Sequence, residues 1–66
     1  MIAVYKNPED YPNYCVARVF DLERPTNIVI IKKTVREIKE DIEQHTGMVF
    51  LNREVGDVLS LVGVYL

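Results

Sequence analysis

Cys15 and His45 are the only thiol and the only imidazole among the 66 residues. A cysteine nucleophile needs an imidazole within hydrogen-bond reach and a third group that orients the base. Cys15 lies among small apolar residues in a predicted strand, which is typical of a buried cysteine that packs as a hydrophobic residue. His45 lies at the end of a predicted helix, where a cationic ring would favour the negative pole of the helix dipole. The sequence therefore predicts no catalytic residue and no enzyme.

Carboxylates are concentrated in the same predicted helix, at Glu37, Glu40, Asp41 and Glu43. Such a set suits a metal ion or acid–base chemistry when it faces a cleft. The alternative is a solvated outer helix face, because charged residues are normally exposed. One histidine and one cysteine also make a metal cage of soft ligands unexpected. We therefore expect no metal site and no cofactor, and the three scattered glycines form no phosphate-binding loop.

The only basic concentration consists of Lys32, Lys33, Arg36 and Lys39. These residues lie at the end of a predicted strand and the start of the helix, where free amides and the helix dipole favour a phosphate. The net charge of −2 argues against this interpretation, since nucleic-acid-binding domains are usually strongly basic. The alternative function is thus a small nucleic-acid-binding or regulatory protein that uses this basic cluster, and nucleic acid is not the favoured partner.

The length of 66 residues predicts one small domain over residues 1–66. A domain of this size buries only about 60% of the surface that its unfolded chain exposes. Such chains usually gain stability from disulfides, a metal or oligomerisation. A single cysteine excludes an internal disulfide, so oligomerisation is the expected source of extra stability.

Alternation of apolar and polar residues, interrupted by turn residues, predicts most of the strands. The predicted strands are Ile2–Tyr5, Tyr14–Asp21, Asn27–Lys33, Met48–Leu51 and Val58–Tyr65, the first and fourth of them short and weakly indicated. A loop of about five residues, Leu22–Thr26, is expected between the second and third strands because Pro25 interrupts the pattern. Gly63, inside the last strand, predicts a bulge or a close backbone approach.

The helix is predicted from Thr34 to about His45. Thr34 and Glu37 have the spacing of a capping box, and Gly47 suits the left-handed position that commonly ends a helix. The predicted fold is therefore α+β: a three- to four-stranded, mainly antiparallel sheet with one helix, residues 34–45, packed on one face.

Both faces of the third strand are apolar, because Ile28 and Ile30 lie on one face and Val29 and Ile31 on the other. The helix offers only a narrow apolar stripe and cannot cover two faces. We therefore predict that the second face, or an edge strand, is buried against a second copy, most simply as a two-fold dimer. The predicted interface residues are Tyr14, Val16, Phe20, Val29, Ile31 and Tyr65. The predicted function is a non-enzymatic protein-interaction or assembly module that works as a homo-oligomer.

The predicted location is cytoplasmic, with Cys15 reduced. Residues 1–5 lack the basic region and apolar core of a secretory signal, and the apolar run 58–66 is too short to span a bilayer. The order strand–strand–strand–helix–strand loosely resembles that of small antitoxins that neutralise mRNA-cutting toxins. The Leu-Pro-Gly turn of that group is absent, since residues 21–25 read Asp-Leu-Glu-Arg-Pro, and the chain is not assigned to that family.

Overall fold

A computed structural model describes all 66 residues as five strands and one helix. The elements are β1 (Ile2–Lys6), β2 (Cys15–Asp21), β3 (Arg24–Lys32), α1 (Val35–His45), β4 (Phe50–Asn52) and β5 (Leu61–Tyr65). The strands form one antiparallel sheet in the order β3-β2-β1-β5-β4. The fold class is therefore α+β, with five strands where three to four were predicted.

The central strand is β1, which the sequence indicated only weakly. Ile2, Ala3 and Val4 are 7%, 3% and 0% exposed, because strands pair with β1 on both sides. A strand at the centre of a sheet is covered from more directions than an edge strand, so a short apolar run is sufficient there.

Helix α1 begins with the predicted capping box. The Thr34 hydroxyl accepts a hydrogen bond from the Glu37 amide, and the Glu37 carboxylate accepts one from the Thr34 amide. The prediction of a left-handed Gly47 after the helix is wrong, because Gly47 has no positive φ and the C-cap, Thr46, is extended. The Thr46 amide and hydroxyl both donate to the Ile42 carbonyl, at 2.9 Å each, and so satisfy a carbonyl that the helix leaves free.

The hydrophobic core lies between α1 and one sheet face. Ile38 and Ile42 are 0% and 2% exposed. They belong to a buried cluster that also contains Ile2, Val4, Cys15, Ala17 and Tyr65. Cys15 and Ala17 are small, which lets the helix approach closely over β2.

The β2–β3 hairpin is tighter than predicted. Leu22 and Glu23 form the turn, with Leu22 in the left-handed region at φ 57°, and β3 already begins at Arg24. The expectation of a five-residue loop was wrong because it assumed that Pro25 could not belong to a strand. β3 is an edge strand, and an edge tolerates a residue without an amide proton.

A β-bulge of three residues interrupts β3 near its start. Arg18 pairs with Val29 and Phe20 with Pro25, so the three residues 26–28 lie opposite Val19 alone. The Thr26 hydroxyl donates to the Val19 carbonyl at 2.7 Å and accepts from the Ile28 amide at 3.1 Å. The Thr26 hydroxyl therefore satisfies the Val19 carbonyl and the Ile28 amide within the bulge, while the Ile28 side chain is 58% exposed.

Gly63 lies where the backbone and Phe50 come closest to β5. A Cβ atom at this position would meet the Leu51 carbonyl oxygen and the Phe50 ring, the Cε1 atom at 2.8 Å. The pairing of β1 with β5 also shifts register next to this glycine, between Val4 and Tyr5. The prediction of a bulge and a close approach is confirmed. β5 itself is shorter than predicted, since residues 58–60 form a turn.

All peptide bonds are trans, including the Tyr11–Pro12 bond. No helix is both long enough and apolar enough to cross a bilayer.

Candidate interaction surface

The face of the sheet opposite α1 is named here the open face. Register fixes its members, because side chains alternate along each strand and paired residues share a face. Ile2, Val4, Cys15 and Ala17 point to the helix, so their strand neighbours point away. The open face comprises Ala3, Tyr5, Val16, Arg18, Phe20, Val29, Ile31, Leu51, Leu61 and Val64.

The connection between β1 and β2 covers the middle of the open face. Its Asp10 carboxylate is paired with the Arg18 guanidinium, and its Pro8 is buried. The small residue Ala3 and the neighbouring Val16 are 3% and 0% exposed although no helix lies on that side. The sequence analysis predicted that a second copy buries this face, whereas the chain's own connection buries part of it.

Larger apolar side chains on either side of this covered region remain partly exposed. On the β3 side, Ile31 is 40% exposed and Val29 is intermediate. Tyr14, just before β2, is also 40% exposed. On the β4 side, Leu51 is 47% exposed beside an intermediate Val64. The open face therefore presents two apolar areas with an ion pair between them.

Four of the six predicted interface residues lie together on the open face with exposed surface. The other two, Val16 and Tyr65, are fully buried. Tyr14 precedes β2 on the side of Phe20, and Val29 and Ile31 lie beside them on β3. Val16 is on the same face but has no exposed surface. Tyr65 lies on the opposite face in the core, so its assignment to the interface is corrected.

Tyr65 is fully buried, with contacts to both α1 and β4. Its ring packs against Phe50 with centroids 5.0 Å apart, and its hydroxyl donates to Glu43 Oε2 at 2.6 Å. Burial, followed by the hydrogen bond and the negative charge of Glu43, raises the pKa of the Tyr65 phenol well above its ordinary value. The phenol is thus a neutral donor that connects α1 to β5.

The four basic residues of the predicted phosphate site do not converge. Arg36 Nε is 3.0 Å from Glu40 Oε1, and Lys39 Nζ lies 4.3 Å from the Phe50 ring centroid, above β4. Lys32 instead lines a depression on the β3 side of the helix with Glu37, Glu40, Asp41 and Gln44. Lys33 is exposed between the strand and the helix.

The anion position at the start of α1 is also occupied by the chain itself. Glu37 Oε2 accepts hydrogen bonds from the Lys33 amide at 3.2 Å and the Thr34 amide at 3.1 Å. A phosphate that approached these amides would have to displace a carboxylate. The geometry therefore gives the nucleic-acid alternative less support than the sequence did.

Cys15 and His45 have separate partners. The Cys15 thiol is 2% exposed and donates to the Lys33 carbonyl, with the sulfur 3.8 Å from the oxygen. His45 is exposed, and its Nδ1 atom lies 2.7 Å from the Asp41 carbonyl oxygen. The two side chains are engaged with different groups and do not form a nucleophile–base pair.

Each of the helix carboxylates has a different partner. Glu37 caps the helix, Glu40 pairs with Arg36, Asp41 lies near His45, and Glu43 accepts from Tyr65. No group of three or more His, Cys, Asp or Glu side chains is placed to hold a metal ion.

Sequence reasoning missed the β4 side of the open face. Leu51, Leu61 and Val64 join it through the pairings of β4 and β5 with each other and with β1. The signal in the sequence was alternation in β4, where Phe50 and Leu51 must point to opposite faces. Three strand residues were too few for that pattern to be decisive.

No protein-family model, no curated protein and no solved structure matches this chain.

Proposed function

We propose that this chain is a non-enzymatic interaction module that associates with a second copy of itself through the open face. The observation that supports the proposal is the contrast between two sheet faces of one small domain. One face is closed by α1, while the other keeps Ile31 and Leu51 at 40% and 47% exposure. A cytoplasmic setting, with Cys15 reduced, belongs to the same proposal.

A second copy is the occupant that this surface favours. A two-fold contact places the same patch on both partners, so an apolar area needs no partner of different composition. It also supplies the extra burial that a 66-residue domain with one cysteine lacks. The Asp10–Arg18 pair limits the apolar surface to its two sides and keeps charge at the centre.

The size of the open face predicts a dimer that dissociates on dilution. Five strands about 4.8 Å apart and about five residues long give a surface of roughly 24 by 17 Å. The area of this surface is well below the ~800 Å² that each partner typically buries in a stable complex. Association is therefore expected to depend on concentration.

Sedimentation velocity over the micromolar range tests the proposal. The natural chain should sediment faster as its concentration rises. Leu51→Lys places a charge in one of the two apolar areas of the open face and should weaken association by at least about tenfold, as expected when a main apolar contact of an interface is lost. Leu59→Lys is the matched control, because Leu59 is 91% exposed in the β4–β5 turn. A natural chain that remains a monomer at every concentration would overturn the proposal.

A further inference from the structure

The outer edge of β3 has no neighbouring strand, so some of its backbone groups are free. The directions of the β2 backbone groups show which ones. The Tyr14 carbonyl accepts a hydrogen bond from the Asn7 amide at 2.8 Å, and Phe20 exchanges hydrogen bonds with Met1. The hydrogen-bonding backbone groups of Tyr14 and Phe20 therefore point toward β1. Because these directions alternate along a strand in an antiparallel sheet, the amides and carbonyls of the odd-numbered residues of β2 point toward β3.

The same alternation identifies the free groups of β3. Ile30 and Lys32 pair with odd-numbered residues of β2, so their amides and carbonyls bond inward. The amides and carbonyls of Val29 and Ile31 therefore point outward, where β3 has no neighbouring strand. These two residues present two donors and two acceptors along one edge.

The free edge is limited at both ends. The Lys33 amide is already bonded to the Glu37 carboxylate at 3.2 Å. The Ile28 amide is bonded to the Thr26 hydroxyl inside the bulge, at 3.1 Å. Bulges and lysines at an edge normally restrict pairing with other chains. Here they leave a short segment centred on Ile30.

We propose that two copies pair through this segment as antiparallel β3 strands, with the two-fold axis at Ile30. In this register Val29 of each copy lies opposite Ile31 of the other, and the four outward groups of each copy are all satisfied. Shifting the register by two residues toward Lys33 would require an amide that Glu37 already occupies. A shift the other way would require the bulged residues 26–28.

Charge also favours the antiparallel arrangement. Lys32 would lie opposite Ile28 of the second copy, which is 58% exposed and is covered by the lysine stem. A parallel arrangement would instead bring the Lys32 and Lys33 side chains of the two copies together, and like charges opposite one another are unfavourable. The proposed dimer has one continuous ten-stranded sheet with both helices on the same face.

Disulfide trapping at the axis tests this register. Directly opposed residues of an antiparallel pair have Cα atoms about 4.5 Å apart where they exchange no hydrogen bonds, within the range for a disulfide. Ile30→Cys should therefore form a covalent dimer under mild oxidation. Lys32→Cys alone should not, since its counterpart lies four residues away, about 13 Å along the strand. The native Cys15 is buried, and the natural chain serves as the control for its reactivity.

A second measurement avoids any dependence on the packing of Ile30. An equimolar mixture of Ile28→Cys and Lys32→Cys chains should cross-link as mixed dimers, while each chain alone should stay monomeric on a denaturing gel. Circular dichroism of each variant verifies folding. Equal cross-linking at all three positions, or none in both measurements, would overturn the proposed edge pairing.

The two self-association proposals fail separately. If Leu51→Lys abolishes concentration-dependent sedimentation and neither Ile30→Cys nor the mixture of Ile28→Cys and Lys32→Cys chains cross-links, the open face stands and the edge pairing is wrong. If Ile30→Cys cross-links equally well in the Leu51→Lys background, the edge pairing does not depend on contact through the open face.

Discussion

The two faces of the sheet are built from similar residues but are closed by different means. On the helix side, Ile38 and Ile42 pack against the sheet, and each is less than 3% exposed. On the open face, an eight-residue connection reaches back over the strands and is joined to them through the pair of Asp10 and Arg18. A regular helix buries apolar area at every turn, whereas an irregular connection must keep its own backbone hydrated and covers less.

With the proposed dimer, this difference predicts that folding stability depends mainly on the helix side and association through the sheet faces on the open face. Substitutions on the helix side should lower the free energy of unfolding, because they open cavities or break buried contacts. Substitutions of partly exposed residues on the open face should change self-association with little effect on folding.

The largest expected effect is that of Ile38→Ala. Ile38 is fully buried between α1 and the sheet. Truncation of a buried isoleucine costs about 2–5 kcal/mol, because it removes transfer free energy and leaves a cavity. Urea unfolding followed by circular dichroism measures the loss. The matched substitution Ile31→Ala, on the open face at 40% exposure, should cost clearly less. Equal losses would contradict the assignment of stability to the helix side.

Gly63→Ala is expected to have the next largest effect. The new Cβ would meet the Leu51 carbonyl oxygen and the Phe50 ring, so β4 would have to move. Overpacking of this kind costs about 1–3 kcal/mol. Gly47→Ala is the control, since no atom lies within 4 Å of a Cβ at that position. Urea unfolding of both variants should separate them, and a neutral Gly63→Ala would show that the approach of β4 to β5 is not tight.

Tyr65→Phe should produce a smaller loss that depends on pH. It removes the 2.6 Å hydrogen bond to Glu43, worth about 0.5–1.5 kcal/mol near neutral pH. The raised pKa of Tyr65 means that the folded state keeps a proton that the unfolded state loses above about pH 10. The free energy of unfolding should then fall by about 1.4 kcal/mol per pH unit above pH 10 because of this residue alone.

The measurement is the difference between the natural chain and Tyr65→Phe. Other tyrosines and lysines also titrate in this range, but they are common to both chains. The stabilising contribution of the hydroxyl should be fully present below pH 10 and should decrease as the pH rises further. Parallel curves for the two chains would show that Tyr65 titrates normally.

Local features of the fold were predictable because neighbouring residues determine them. The capping box needs only Thr34 and Glu37. A glycine inside a strand pattern indicated a close approach at Gly63, but not that Phe50 and Leu51 of another strand make it. The end of the helix at His45 agrees with the prediction, but Gly47 is not left-handed, because the Thr46 amide and hydroxyl bond to the Ile42 carbonyl with Thr46 extended. Pro25 was misplaced because only the strand order shows that β3 is an edge.

Features that depend on long-range pairing were not predictable. Alternation divides the residues of a strand into two sets, but it does not determine which set is covered. Tyr65 was therefore assigned to the interface when it belongs to the core. Likewise, nothing in residues 7–14 indicated that Asp10 would meet Arg18 over the sheet, since that contact depends on where the chain turns back.

The smallest expected effect is that of Asp10→Asn, which tests how the open face is closed. The Asp10 and Arg18 side chains are 54% and 33% exposed, so their pair should contribute no more than about 1 kcal/mol. Glu40→Gln is the control, because it breaks the pair with Arg36 within a single helix, where about 0.3–0.5 kcal/mol is typical. Asp10→Asn should also increase proteolytic cleavage in the connection 7–14, whereas Glu40→Gln should not. If cleavage there is unchanged, burial of Pro8 and the backbone hydrogen bonds of the connection, not the ion pair, hold it over the sheet.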